Sequence, residues 1–354
     1  MSRAPAPSLA SPRIGRRAAV VGTLSLACGA APARPVAKAP PPAARYSGKL
    51  EDYVPAAGLR WLIQGSPAKL AESQSFRPAL DQLISSERLR AVATTTGFAL
   101  ESLPRGVIAG FDLGTLYLAE LPAATAAQAR ERFAARQIRD IAQHSPEPGI
   151  AVLTGTNQGV PIGLVTIDER VVAYGVGDPL LYRVVEGYAR GKLKAKKAFE
   201  GAALRGLERE TEGALIAAHV PGPFDERWQN AAAGLLAITT AITAKLIATQ
   251  AGHARLELSL HGDFSGSSAE ERLQSTYMSV ASSSTGTLLG LDAALEARTL
   301  ASPREDVVTL QVPLPITEIA RRAHAVTSGD LDEILRLSPA SSGIATPTSS
   351  PDSR

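Results

Sequence analysis

The chain has a single cysteine, Cys28, among 354 residues. One thiol gives neither an intramolecular disulfide nor a thiolate metal cluster, so the fold must rest on its apolar core. Long apolar runs are missing as well. The stretch Ala18 to Ala27 has ten residues and the uncharged Ala231 to Ala244 has fourteen, both short of the ~20 that a membrane-spanning helix needs. Histidine is scarce, with five residues. Familiar catalytic spacings are absent: there is no His-Glu-x-x-His, no glycine fingerprint opening a helix after a strand, and no Gly-x-Ser-x-Gly elbow. Gly262-Asp263-Phe264-Ser265-Gly266 has the wrong spacing for that elbow, and Gly187 to Lys192 is one residue short of a phosphate loop. No cofactor is implied.

What is present starts with the first 28 residues, which read as a basic head (Arg3, Arg13, Arg16, Arg17), a short apolar core and small residues before Cys28. This is the grammar of an export signal over residues 1–27. In Leu24-Ser25-Leu26-Ala27-Cys28 the chain resembles bacterial prolipoproteins. That resemblance implies that Cys28 is acylated on sulfur and becomes the mature N-terminus, anchoring the protein to a membrane. Gly29 in place of aspartate implies the outer membrane. Two alternatives stay open: an ordinary cleaved signal with an incidental Cys28, and export through the twin-arginine route because of Arg16-Arg17.

Charge changes meaning once the signal is set aside. The chain carries 37 Lys+Arg against 34 Asp+Glu, a net +3, and four of the arginines precede Cys28, which leaves about −1 for the remainder. The basic balance belongs to the signal, and nucleic acid is excluded as an expected partner. Residues 28–48 are rich in proline and alanine and read as a tether, about 60 Å long if its nineteen or so residues are extended. Ser338 to Arg354 has the composition of a disordered tail over residues 338–354.

Between these ends, the periodicity predicts an α+β fold of antiparallel sheets with helices packed on one face, in two loosely duplicated halves, 49–210 and 211–337. Helices are expected over Phe76 to Arg90, Ala123 to His144, Pro179 to Arg190, Glu226 to Gln250 and Ile316 to Ala325. The fourth would hold Ala231 to Ala244 as a buried core helix. Strands are expected at Thr115 to Leu121, Ile150 to Leu153, Val160 to Ile167, Arg170 to Val176, Ala214 to Val220, Ala254 to Phe264 and Val307 to Val312. Thr156 to Gly159 and Asp168-Glu169 supply their turns. Ser268 and Glu271 form the pattern of a capping box. The spacing of Lys69-Leu70 from Phe76 echoes that of Lys192-Leu193 from Phe199. Ala218 to Phe224 and Leu258 to Phe264 resemble segments of uncharacterised exported bacterial proteins built of repeated strand and helix units, a resemblance that implies no activity.

Two clusters qualify as candidate sites. Glu257, Ser259, His261 and Asp263 alternate along one strand face, expected to be wet, and would suit half a metal site or part of a hydrolytic triad. Arg190, Lys192, Lys194, Lys196 and Lys197 form a basic run suited to acidic headgroups or an anionic envelope polymer. Trp61 and Trp228 are expected in packing roles. Three function classes follow: a non-enzymatic, membrane-tethered binding or structural module with an envelope partner, a carrier of a lipid or small apolar ligand, and a hydrolase with an unrecognised site.

Overall fold

Two tight turns fix one end of the sheet. Gln158 and Gly159 both take positive φ, as do Asp168 and Glu169, the backbone that matches the twist of a two-residue hairpin. The computed structural model describes residues 45–321, apart from 123–124, 137, 250–252, 289–290, 292–295 and 318. The signal, Cys28, most of the expected tether and the 338–354 tail lie outside the described residues.

In chain order the elements are β1 (Leu59–Gly65), α1 (Pro67–Glu72), α2 (Arg77–Leu83), α3 (Ser86–Thr96), β2 (Arg105–Phe111), β3 (Gly114–Glu120), α4 (Ala126–Ala134), β4 (Arg139–Glu147), β5 (Ile150–Asn157), β6 (Val160–Ile167), β7 (Val171–Val176) and α5 (Pro179–Ala189). The second half adds β8 (Ile216–Pro221), α6 (Glu226–Ala231), β9 (Thr239–Ala248), β10 (His253–Gly262), α7 (Ala269–Ala281), α8 (Ser284–Leu288), β11 (Arg298–Ala301) and β12 (Val307–Pro315). All strands join one antiparallel sheet in the order β11-β12-β10-β9-β8-β1-β2-β3-β7-β6-β5-β4. The fold is α+β.

Both halves wind alike. Three strands lie side by side (β1-β2-β3 and β8-β9-β10), a helix follows (α4 and α7), and the next strands return so that the last pairs with the third: β7 with β3, β12 with β10. The halves meet through the antiparallel β1–β8 pair, so the sheet is continuous across residue 210. The sequence echo is not this repeat. Lys69-Leu70 lies in α1, whereas Lys192-Leu193 lies in the loop after α5, at an inequivalent place.

Packing follows strand alternation. On one face of the first half, Leu116, Val165, Ile167 and Ala173 meet Tyr182 and Val185 of α5. On the other, Ala119, Ile162, Leu164 and Val172 meet Ala126, Ala129 and Phe133 of α4, so helices cover this half on both faces. In the second half, Leu273, Tyr277 and Ala281 of α7 close over Leu260, Val308, Leu310 and Val312.

Several expected elements differ. Phe76 to Arg90 is two helices, because Ile84 turns extended and the Ser85 hydroxyl accepts from the Arg88 amide to start α3. The helix expected through His144 stops at Ala134, and Ile141 and His144 enter the edge strand β4 against β5. Glu226 to Gln250 is not a helix: Ala233 and Gly234 at positive φ follow α6, and a segment rich in β-branched residues (Thr239, Thr240, Ile242, Thr243) forms β9. No central alanine helix exists there. Ser268 adopts φ 50° and its side chain makes no cap bond, so the capping box is not formed although α7 begins where expected. Tryptophan is at the surface: Trp228 is 62% and Trp61 36% exposed. The Trp61 indole lies across Gly110, directly opposite on β2, where any Cβ would collide with it. The last residues of the expected tether also belong to the fold. Tyr46 is buried, and the backbone amides of Arg45 and Tyr46 donate to the Asp168 carboxylate.

Candidate functional site

One register row crosses six strands. Ala218, Ile63, Ile108, Tyr117, Tyr174 and Leu164 stand opposite one another from β8 to β6. Ile63 through Leu164 form the floor of a cavity of about 780 Å³, within the ~300–1,000 Å³ typical of small-molecule sites. The floor continues to Ile216 on β8. Five inter-strand spacings of about 4.8 Å carry this trough across roughly 24 Å of sheet.

The roof explains why space remains. Helices α1 and α3 contain no fully buried residue and α2 contains only Ala79. Their apolar side chains Leu70, Leu80, Ile84 and Leu89 line the trough. Each helix is short, and α1 and α3 are separately capped, Ser66 accepting from the Lys69 amide and Ser85 from the Arg88 amide. Together they bridge the sheet instead of pressing onto it. On the floor Gly65, Gly106 and Ala119 form an adjacent cross-strand row of small residues. A Cβ on Gly106 would come no closer than 3.9 Å to any atom. Ile63, Ile84, Tyr117 and Val160 all line the trough and all remain more than a third exposed. Close packing is the rule in protein interiors, so an unfilled apolar volume of this size is the feature that stands out.

One end of the trough is polar. Arg136, just beyond α4, holds its guanidinium 5.7 Å from the Tyr174 ring centroid, and Nη2 donates to the Thr95 carbonyl at 3.3 Å. Tyr174 meets Phe133 edge-on and Tyr117 at a tilt, ring centroids 5.9 and 6.1 Å apart. Burial raises the Tyr174 phenol, with Arg136 opposing. Asn157 and Gln158 of the β5–β6 turn share this lining.

The residues singled out from sequence lie elsewhere. Glu257, Ser259 and His261 are on one face of β10, but that face is buried and not wet. Residues 198–211 help to cover it, where Phe199 packs on His219 and Glu210 approaches His261 at 3.4 Å. Glu257 takes Lys245 and Arg255, each at 2.9 Å, and Ser259 bonds Thr309 at 2.9 Å. Asp263 is separated from them, exposed, and accepts from the Ser265 amide and hydroxyl. His219 Nδ1 lies 3.2 Å from the Thr243 hydroxyl and Nε2 lies 3.5 Å from Gln64 Nε2. His219 and Thr243 are fully buried, and neither lines the trough. Among the described residues, no serine bonds either histidine and no group of three His, Cys, Asp or Glu is placed to hold a metal. The cluster is a buried polar layer in which His261 Nε2 has only the Glu210 carboxylate, at 3.4 Å, beside it.

The basic run is largely neutralised. Arg190 pairs with Glu147 and Glu186, Lys192 with Glu147, and Lys197 with Asp52. Lys194 and Lys196 are exposed and make no ion pair among the described residues. Sequence reasoning missed the trough because its lining is drawn from eleven elements with no shared motif. The signal that existed was the weak amphipathicity of α1 to α3, whose apolar residues are too sparse for a packed core.

No protein-family model matches the chain, nor does any curated protein. Solved structures similar to it include crystal form III of TP0453, with a TM-score of 0.48 and 10% identity over 78% of this chain and 97% of that one. Crystal form I of TP0453 has a TM-score of 0.45 and 12% identity over 79% and 96%.

Proposed function

We propose that the protein is a lipid-anchored envelope protein that binds a long-chain apolar ligand in the trough between β1–β7 and α1–α4. The observation that carries this reading is the cavity of about 780 Å³ whose exposed wall is largely apolar away from its polar end. Water gains little in such a space, while each buried methylene contributes about 0.8 kcal/mol to a bound chain. A ligand of this kind needs no catalytic group. The prolipoprotein-like Cys28 would hold the carrier at a membrane, the natural source of such molecules.

The test is binding of cis-parinaric acid, a fluorescent polyene fatty acid, to the full chain with Cys28→Ser to keep it soluble. Saturable uptake at one site, displaced by palmitate and blocked by Gly106→Leu, is expected. Absence of saturable binding, or uptake indifferent to Gly106→Leu, would overturn the reading.

A further inference from the structure

Resting on that reading, we infer that the ligand carries a single anionic head, a carboxylate or phosphate, which Arg136 receives at the β6–β7 end of the trough. Arg136 is half-buried, and its Nε is shielded from water without a hydrogen-bond partner. Nη2 donates to a neutral carbonyl, that of Thr95, and its other polar neighbour, Tyr174, is a neutral phenol. Among the described residues no carboxylate lies within ion-pair distance of it. The other arginine of the lining, Arg77, is exposed and already bonded to Asp81 at 3.0 Å.

Desolvated charges in proteins are paired, since an isolated one costs several kcal/mol. A guanidinium against an empty apolar volume therefore lacks the anion that would balance it. Arginine presents a planar fork of donors matched to carboxylate and phosphate oxygens, and here Tyr174 supports its flat face. With the cation at the β6–β7 end and Gly65 and Ile216 at the other, a single-chain amphiphile would lie head to tail along the floor. Asn157 and Gln158, in the same lining, offer amide donors beside the head. Glu101 and Asp81 line the trough too; Asp81 is bonded to Arg77, and among the described residues neither acid forms an ion pair with Arg136.

Isothermal titration calorimetry of the full chain with palmitate, 1-palmitoyl lysophosphatidate and 1-hexadecanol separates the contributions. In Arg136→Gln, binding of the preferred anion is expected to weaken at least tenfold while hexadecanol stays within twofold. Arg136→Lys should recover part of the loss, and the preference between the two anions identifies the head. Thermal melts of each variant report any loss of fold. Equal weakening of hexadecanol and palmitate, or no weakening of either anion, would overturn the role of Arg136 and leave the trough reading standing. If the parent binds none of the three, both fail.

Discussion

The rings of Phe199 and His219 meet edge to face, centroids 5.1 Å apart and planes at 87°, sealing a fully buried imidazole beneath the 198–211 segment. Burial drives the His219 pKa down from 6.5 to about 4, with Glu210 opposing and His261 adding to the fall. Because the folded value lies below the unfolded one, the contribution of neutral His219 is complete above about pH 6.5 and is lost as pH falls toward 4. The loss should reach roughly 3 kcal/mol. Urea unfolding from pH 7.5 to 4.5 is expected to show it, with a flatter profile in His219→Gln. An unchanged slope in the variant would assign the acid sensitivity to other groups.

Glu147, the last residue of β4, gathers three cations. Its carboxylate receives Arg45 at 2.7 Å, Arg190 at 3.1 Å and Lys192 at 3.3 Å. Arg45 first, then Arg190, hold its pKa down at about 2. A depressed carboxylate stabilises above its unfolded value near 4.5, and the benefit fades as pH falls toward 2. Glu147→Gln should therefore lower the melting temperature at pH 7 and do so less at pH 3. It should also speed tryptic cleavage at Arg45, whose side chain it releases. Equal melting at pH 7 would show that solvent screens the cluster completely.

Much of the fold was legible because turns and alternation are local. Asp168-Glu169 and Gln158-Gly159 mark their hairpins, and Leu256, Leu258 and Leu260 point to one core as their spacing requires. Long-range cover was not legible. The stripe Glu257, Ser259, His261 reads as a wet face, yet residues 198–211, some fifty positions earlier, lie over it. β4 is exposed along nearly its whole length, so no period-2 pattern distinguishes it from the end of a helix. β9 was hidden by alanines that favour helix while its threonines pair with β8 and β10. The trough escaped for a related reason: a void is defined by what fails to pack, and a sequence records only residues.

The proposed anchoring rests on Cys28, outside the described residues. If the Leu24 to Cys28 motif is processed as it is in prolipoproteins, cells fed an alkyne-palmitate analogue should label the parent protein and not Cys28→Ser. The variant should also leave the membrane fraction for the soluble one. Two acyl signals or more are needed for stable attachment by lipid alone, so partial release would indicate incomplete acylation. Persistent labelling of Cys28→Ser would remove the anchor from the proposal and leave the trough untouched.

Chain length gives the sharpest measurement of the trough itself. Burial of each methylene contributes about 0.8 kcal/mol, so shortening a bound fatty acid from sixteen to fourteen carbons should weaken it by about 1.6 kcal/mol, roughly 15-fold. A surface-adsorbed chain would lose less per carbon, because part of it stays in water. Gly106→Leu sharpens the contrast. The glycine sits within β2 at ordinary strand φ, with its nearest atoms 3.9 Å from the position of a Cβ, so the substitution introduces no backbone strain. Replacing a mid-strand glycine should stabilise the fold by about 0.5 kcal/mol or more, while the new side chain occupies the space a ligand would take. A variant that melts at or above the parent temperature and binds palmitate at least tenfold more weakly is the expected result. Unchanged affinity with the same stability would place the ligand outside the trough.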